Sequence, residues 1–169
     1  MKFSDIPQYT PFGNYQINAQ WGDTLDFMLQ RYTERYRLNL NPDYQRPHEW
    51  TSLEQQRYVE YRLQGGITGR DIWFNCRGFR GDGDGQMELV DGKQRLNAVL
   101  LFMSNQLSIF KGHYFRDFTD HLKGDMDFII HINELKTRKE VMQWYVDLNS
   151  GTPHSQFELN RVKEMILND

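Results

Sequence analysis

The fold is organised around one stretch of sequence, Val90-Asp91-Gly92-Lys93-Gln94-Arg95-Leu96. The residues before it alternate as a half-buried strand does, and the apolar residues after it predict a buried helix. A strand-to-helix turn directs backbone N–H groups and the positive end of the helix towards one point. Gly92 permits a close backbone approach, and Lys93 and Arg95 add cationic donors. The stretch therefore predicts a site for phosphate or another anion.

A simpler interpretation accounts for the same residues. Asp91 could be the N-cap of the helix, with Arg95 on the protein surface. The stretch also lacks the spacing of a P-loop and of a GxGxxG fingerprint. Asp91 is nevertheless the only carboxylate that we consider for chemistry, since it could position Mg²⁺ or a nucleophile beside bound phosphates.

Working outward, periodicity defines the other elements. Strands are predicted at 71–76, 86–90 and 127–133, and helices at 23–35, 51–64, after Gly92, at 137–148 and at 155–167. A glycine-rich connection at 78–85 joins the first two strands as a hairpin. The order helix, helix, strand, strand, helix, strand, helix, helix predicts a single α+β domain over residues 1–169 with a small sheet.

Capping residues and apolar stripes support these helices. Asp23 is predicted to cap the first helix, and capping boxes begin at Thr51 and at Ser155. The first helix should bury one stripe, made of Leu25, Met28, Leu29, Tyr32 and Tyr36. The second should bury a face made of Leu53, Val59 and Leu63.

Composition excludes several classes of protein. The 169 residues carry 20 basic and 23 acidic side chains, for a net charge of -3, which argues against a polybasic coat for nucleic acid. Ten arginines nevertheless fall between residues 31 and 95. For most of them a solvated surface with local ion pairs is an equally good interpretation. The single cysteine, Cys76, excludes an internal disulfide and indicates a reducing compartment.

Other candidate sites are weaker. The sequence shows no secretory signal and no membrane-spanning run, and its histidines lack zinc-site spacing. His131 is expected on the outer side of the sheet or satisfied in the core. A calcium loop beginning at Asp82 would need glycine at its sixth position and a carboxylate at its twelfth, where the sequence has Met87 and Lys93. Residues 82–85 are instead predicted to form the hairpin tip. Polar clusters at 40–50 and 149–152 could contact a ligand or could be ordinary turns.

Three segments in this order resemble one known family. They are Pro42-x-Tyr44-Gln45-Arg46-x-x-x-Trp50, Val90-Asp91-Gly92-Lys93-Gln94-Arg95-Leu96 and Tyr145-x-x-Leu148-Asn149-x-Gly151-Thr152-Pro153. Together they resemble the N-terminal domain of GmrSD-type modification-dependent restriction endonucleases, with its DGQQR-type motif. The resemblance runs from about residue 15 to 165. Lys93 departs from the family's usual glutamine, and these 169 residues are expected not to include the family's C-terminal HNH nuclease domain.

The resemblance implies a ParB/sulfiredoxin-like domain with a small mixed sheet and flanking helices. It implies a pocket for a nucleoside triphosphate (ATP, GTP or CTP) with Mg²⁺. Its nucleotide-binding residues would be Gln45, Arg46, Asp91, Gly92, Lys93, Gln94, Arg95 and Asn149. Of these, Asp91, Arg95 and Arg46 would be catalytic, and Asp91 would bind the metal.

Function then follows as a set of alternatives. The leading one is a nucleotide-binding, hydrolysing domain linked to DNA restriction, modification or anti-restriction, in the cytoplasm of a prokaryotic or phage-infected cell. Alternatives are a non-catalytic sensor of a nucleotide or of modified DNA that acts through a partner nuclease or effector, and a phosphotransferase acting on a small molecule or modified base. Direct DNA cleavage and DNA binding stay open, as does the oligomeric state.

Overall fold

A computed structural model describes residues 6, 15–45, 50–81, 85–149 and 156–168. Its strands are β1 (Tyr15–Gln20), β2 (Asp71–Cys76), β3 (Met87–Asp91) and β4 (Asp127–Asn133). Its helices are α1 (Asp23–Tyr36), α2 (Ser52–Leu63), α3 (Lys93–Met103), α4 (Arg138–Asn149) and α5 (Gln156–Asn168). The predictions made for Arg46, for residues 82–84 and 150–152 and for the capping box at Ser155 lie outside the described residues.

The four strands form one mixed sheet in the order β1-β4-β2-β3. β2 and β4 run parallel at its centre, while β1 and β3 lie antiparallel on either side. The predicted hairpin of β2 and β3 is confirmed, with a register shift between Trp73 and Phe74. β1 was not predicted, because most of its side chains are exposed and it carries no continuous apolar pattern.

Helices cover both faces of the sheet. Ile72 and Phe74 on β2 belong to a core cluster with apolar residues of α1, α2 and α3. Val90 on β3 belongs to a second cluster, which contains Tyr145 of α4 and Val162 of α5. Because side chains alternate along a strand, these clusters lie on opposite faces. The architecture is the α+β class that the sequence predicts.

The starts of the helices test the capping predictions. The box at Thr51 is confirmed, since its hydroxyl accepts the Glu54 N–H and the Glu54 carboxylate accepts the Thr51 N–H. The N-cap predicted at Asp23 is wrong: Gly22 caps α1 with a φ of 92°, and Asp23 is the first helical residue. An acid in that first turn still stabilises the helix dipole.

The predicted apolar faces hold with one exception. Four of the five stripe residues of α1 are buried, and Leu29 packs partly buried against the same core. On α2, Val59 is fully buried as predicted. The prediction that Leu53 belongs to the core is wrong, because 53% of that residue is exposed. None of the helices in the described part of the chain is both long and apolar enough to span a membrane.

Candidate functional site

The turn between β3 and α3 depends on Gly92. Its φ is +98°, in the left-handed region that L side chains disfavour. A Cβ at this position would lie 2.5 Å from Cδ1 of Ile72 and 3.2 Å from the carbonyl oxygen of Asp71. Gly92 is therefore required both by its backbone conformation and by the close approach of β2. The predicted strand-to-helix turn is confirmed.

The amino end of α3 is the positive end of a helix dipole. Its N-cap, Gly92, has no side chain with which to cap the helix, and the first turn contains no acid. The first intrahelical bond is donated by the Leu96 N–H to the Gly92 carbonyl, at 2.9 Å. The preceding amides point out of the helix end, where an anion gains from both the N–H groups and the helix dipole.

Asp91 and Arg95 form an ion pair across this turn. Nη2 of Arg95 lies 2.9 Å from Oδ2 of Asp91 and 3.0 Å from the carbonyl oxygen of Asp71. Both side chains are about a quarter exposed, at 25% for Arg95 and 29% for Asp91. The simpler interpretation is wrong in both parts, because Asp91 ends β3 rather than capping α3 and Arg95 braces two strands rather than lying on the open surface.

Lys93 lies on the other side of the helix end. It lines a cavity of about 130 Å³ together with Asn41 and Asn97. Partial burial lowers the pKa of its ammonium group, because the charged form is poorly solvated there. An anion bound beside it would restore the lost solvation.

The second predicted segment, residues 42–50, has a contact on either side of Arg46 with β3 or with the start of α3. The buried Gln45 donates through Nε2 to the Leu89 carbonyl on β3. The Trp50 N–H donates to Oε1 of Gln94, at 3.3 Å. Arg46 falls between these two contacts in the sequence, outside the described residues. The structure thus brings Gln45 and Gln94 to the same end of β3.

The third segment reaches the site through aromatic packing. The rings of Tyr44 and Tyr145 lie 5.6 Å apart in an edge-to-face arrangement, and both residues share a core cluster with Val90. Asn149, one helical turn after Tyr145, is buried and donates through Nδ2 to the Tyr145 carbonyl at 2.8 Å. Tyr44 and Tyr145 therefore bring the second and third segments together beside β3, while Asn149 makes this hydrogen bond within α4.

Two polar residues beside the turn were not predicted to lie near the candidate site. Nε2 of His131 lies 2.7 Å from Oδ1 of Asp71, and the His131 ring stacks on Trp73 at 3.8 Å. Asp71 is the residue whose carbonyl accepts from Arg95. Its carboxylate side chain is 49% exposed. His131 is buried as a core residue, but it is satisfied only at Nε2, because its buried Nδ1 has no hydrogen-bond partner among the described residues. Nothing in the sequence indicates that β2 and β4 would pair here.

The donor set at this turn suits a cation shared with a phosphate ligand. Within the described ranges, no group of three or more His, Cys, Asp or Glu side chains could hold a metal by itself. Mg²⁺ is usually held by one or two carboxylates together with substrate phosphates and water. Asp91 offers one such carboxylate, which is paired with Arg95, while the Asp71 carboxylate bonds His131 on β4.

Comparison with known proteins gives one match. The family described as GmrSD restriction endonuclease, N-terminal domain, matches residues 26–162, which is most of the chain. No curated protein and no solved structure matches the chain. The matched range includes the β3–α3 turn and the segments that surround it.

Proposed function

Because the chain belongs to the family of GmrSD restriction endonuclease N-terminal domains, we propose that it binds and hydrolyses a nucleoside triphosphate in the service of DNA restriction. The observation that carries this proposal is the amino end of α3, whose N-cap is a glycine in the left-handed region and whose first turn contains no acid. Such a helix end favours a phosphate group.

Each residue of the turn has a part in this proposal. Backbone N–H groups at the start of α3 and the Lys93 ammonium bind phosphate oxygens. Desolvation of Lys93 makes its interaction with an anion stronger than that of a fully hydrated lysine. Arg95 positions Asp91, because its guanidinium holds that carboxylate and the start of β2 in one arrangement.

Asp91 would hold Mg²⁺ against the phosphates, as the family resemblance implies. Mg²⁺ supplies charge neutralisation on the phosphate oxygens. The protein supplies position: the glycine turn fixes the amides and the Asp91–Arg95 pair fixes the carboxylate. Positioning and electrostatic stabilisation account for most of the catalysis in phosphoryl transfer.

The other two segments would complete the pocket. Gln45 holds β3 in place through the Leu89 carbonyl, and Arg46 next to it in sequence would contact the phosphates, as the family resemblance implies. Asn149 would border the pocket from the end of α4. Support for these two assignments comes from the family resemblance and from Tyr145, which lies one helical turn before Asn149 and shares a core cluster with Val90 of β3.

The test is phosphate release from ATP, GTP and CTP, with Mg²⁺ or with EDTA and with or without DNA, alongside calorimetric binding of each nucleotide. Two variants probe the turn, Asp91→Asn and Lys93→Ala. Glu164→Gln and Lys163→Ala on the exposed face of α5 are matched controls. We expect turnover to fall at least tenfold in Asp91→Asn, nucleotide affinity to fall in Lys93→Ala, and both controls to behave as wild type.

The other outcomes separate the alternatives. Tight binding without turnover would indicate a nucleotide sensor that acts through a partner. Production of the nucleoside diphosphate only when an acceptor is added would indicate a phosphotransferase. Absence of both binding and turnover for every nucleotide would contradict the proposed site.

A further inference from the structure

The two edges of the sheet are protected differently. At one edge, β3 is covered by the chain that follows α1: the Asn39 N–H donates to the Met87 carbonyl at 2.8 Å, and the Leu89 N–H donates to the Asn39 carbonyl at 2.9 Å. At the other edge, β1 pairs only with β4 within the part of the chain that the structure describes. The first four residues of β1 are all exposed. The outer edge of β1 is therefore open to a further strand.

β1 lacks the features that normally keep an open edge from pairing with another chain. Natural edge strands usually carry charged residues, a proline or a bulge. The six residues of β1, Tyr15-Gln16-Ile17-Asn18-Ala19-Gln20, contain no charge and no proline, and they pair with β4 in one continuous register. The backbone N–H and C=O groups that point away from β4 can therefore form a second ladder of hydrogen bonds.

Each face of β1 carries one kind of side chain. Ala19 is buried in the core cluster that contains apolar residues of α1, and Tyr15 and Ile17 share its face because side chains alternate along a strand. Tyr15 is still 40% exposed and Ile17 is 38% exposed, so an added strand would cover apolar surface. The opposite face carries only amide side chains, from Gln16, Asn18 and Gln20.

A second copy of β1 matches both faces. If two copies pair antiparallel about a two-fold axis at Ile17, then Ile17 lies opposite its own copy, Tyr15 lies opposite Ala19, and Gln16 lies opposite Asn18. Residues directly opposite in an antiparallel pair lie on the same face and contact each other. Apolar side chains therefore meet apolar side chains, and amides meet amides. Because β1 is uncharged, this symmetric pairing brings no like charges of the strand together.

We propose that two copies of this protein dimerise through β1, which joins their two four-stranded sheets into one continuous sheet with Ile17 at the two-fold axis. Two-fold dimers are the commonest oligomers. An interface built on one strand from each copy is small, so we expect a dissociation constant in the range from about 1 μM to 1 mM. β1 and β3 are opposite edges of the sheet, so the nucleotide site proposed at the β3–α3 turn faces away from this interface.

The test is sedimentation equilibrium of the full chain at concentrations from about 10 μM to 1 mM. Ile17→Lys and Ile17→Glu each place two like charges opposite each other at the two-fold axis. Gln16→Lys/Asn18→Lys does the same at exposed positions, in case a substitution at Ile17 disturbs the fold. Ile67→Lys, at an isoleucine outside β1 that is 78% exposed, is the matched control. Circular dichroism confirms that each variant is folded.

We expect wild type and Ile67→Lys to dimerise with the same dissociation constant. Each β1 variant alone should associate at least tenfold more weakly, because like charges directly opposite each other destabilise a strand pair. An equimolar mixture of Ile17→Lys and Ile17→Glu should dimerise again, since each lysine then lies opposite a glutamate. Such a rescue requires that Ile17 meets its own copy, so it distinguishes this dimer from one formed through another surface.

Three results would overturn the proposal. They are a wild-type protein that is monomeric at the highest concentration, β1 variants that dimerise as the control does, and a mixture of Ile17→Lys and Ile17→Glu that stays monomeric. The first result would indicate that the open edge receives a strand from a different protein. None of these measurements contains a nucleotide, so the dimer and the nucleotide site can fail separately.

Discussion

Nη2 of Arg70 lies 2.5 Å and 2.8 Å from the two carboxylate oxygens of Asp127, at the end of the sheet where β4 begins. Arg62 reaches the same residue, with Nη2 3.4 Å from the Asp127 carbonyl and 4.0 Å from its carboxylate. The Arg62 side chain is 2% exposed and its guanidinium lies over the Trp21 ring. One carboxylate therefore compensates two arginines, one of them fully buried.

Because of this cluster, we expect Asp127→Asn to lower the stability of the fold strongly. The substitution removes the negative charge and leaves the buried Arg62 without compensation, which typically costs about 3–5 kcal/mol. We expect that loss in the free energy of unfolding measured in urea. Glu134→Gln, which removes the partner of the more exposed Arg80, should cost less than about 1 kcal/mol. Equal effects of the two substitutions would contradict this account of the cluster.

A second prediction concerns the Gly92 turn. Gly92→Ala combines an unfavourable φ of +98° with an overlap on Ile72, and we expect it to destabilise the fold by about 2–4 kcal/mol. Gly65→Ala is the matched control, because Gly65 has a φ of +94° and nothing within 4 Å of its added Cβ. The control should cost about 1 kcal/mol. Denaturant unfolding measures both, and a Gly92→Ala variant as stable as the control would show that the close approach is unimportant.

A third prediction concerns stability at alkaline pH. Burial raises the pKa of Tyr58 to about 12, and its hydroxyl donates to the Gly69 carbonyl at 2.7 Å. An unfolded tyrosine titrates near pH 10. The stabilisation is thus complete below about pH 10 and is lost as the pH rises towards 12.

Tyr58→Phe tests this linkage. We expect it to cost about 1 kcal/mol at pH 7, from the lost hydrogen bond, and to make the fall in stability between pH 10 and 11.5 shallower. Tyr61→Phe is the control, because hydrogen bonds to Thr68 lower the pKa of that exposed tyrosine. Urea unfolding at several pH values gives both curves. If the free energy of unfolding of Tyr58→Phe fell as steeply with pH as that of wild type, the alkaline loss of stability would not come from Tyr58.

Local sequence signals predicted most of the fold. The Thr51 capping box, the glycine-rich hairpin and the strand at 127–133 each depend on neighbouring residues, and each is confirmed. β1 was missed because its stability comes from pairing with β4 at a distance of more than 100 residues. The same reason hides the contact of Asp71 with His131, since their strands become neighbours only when the sheet forms.

Composition shows that the middle of the chain is rich in arginine, but it does not show what each arginine does. Arg62 and Arg70 serve an internal cluster, Arg95 braces the candidate site, and Arg37 and Arg77 line a polar concavity at the other end of the sheet. All five lie in the same 65-residue region (31–95) that the sequence marks as rich in arginine. Their roles are set by which strand end each one reaches, and that depends on long-range pairing.

The central claim is that phosphates bind at the amino end of α3. The most direct measurement is the change in backbone amide chemical shifts on titration with a non-hydrolysable nucleoside triphosphate and Mg²⁺. We predict saturable shifts at Gly92, Lys93, Gln94 and Arg95, which are abolished in Asp91→Asn or when Mg²⁺ is removed. Shifts confined to residues far from this turn, or no shifts at all with any nucleotide, would contradict the claim.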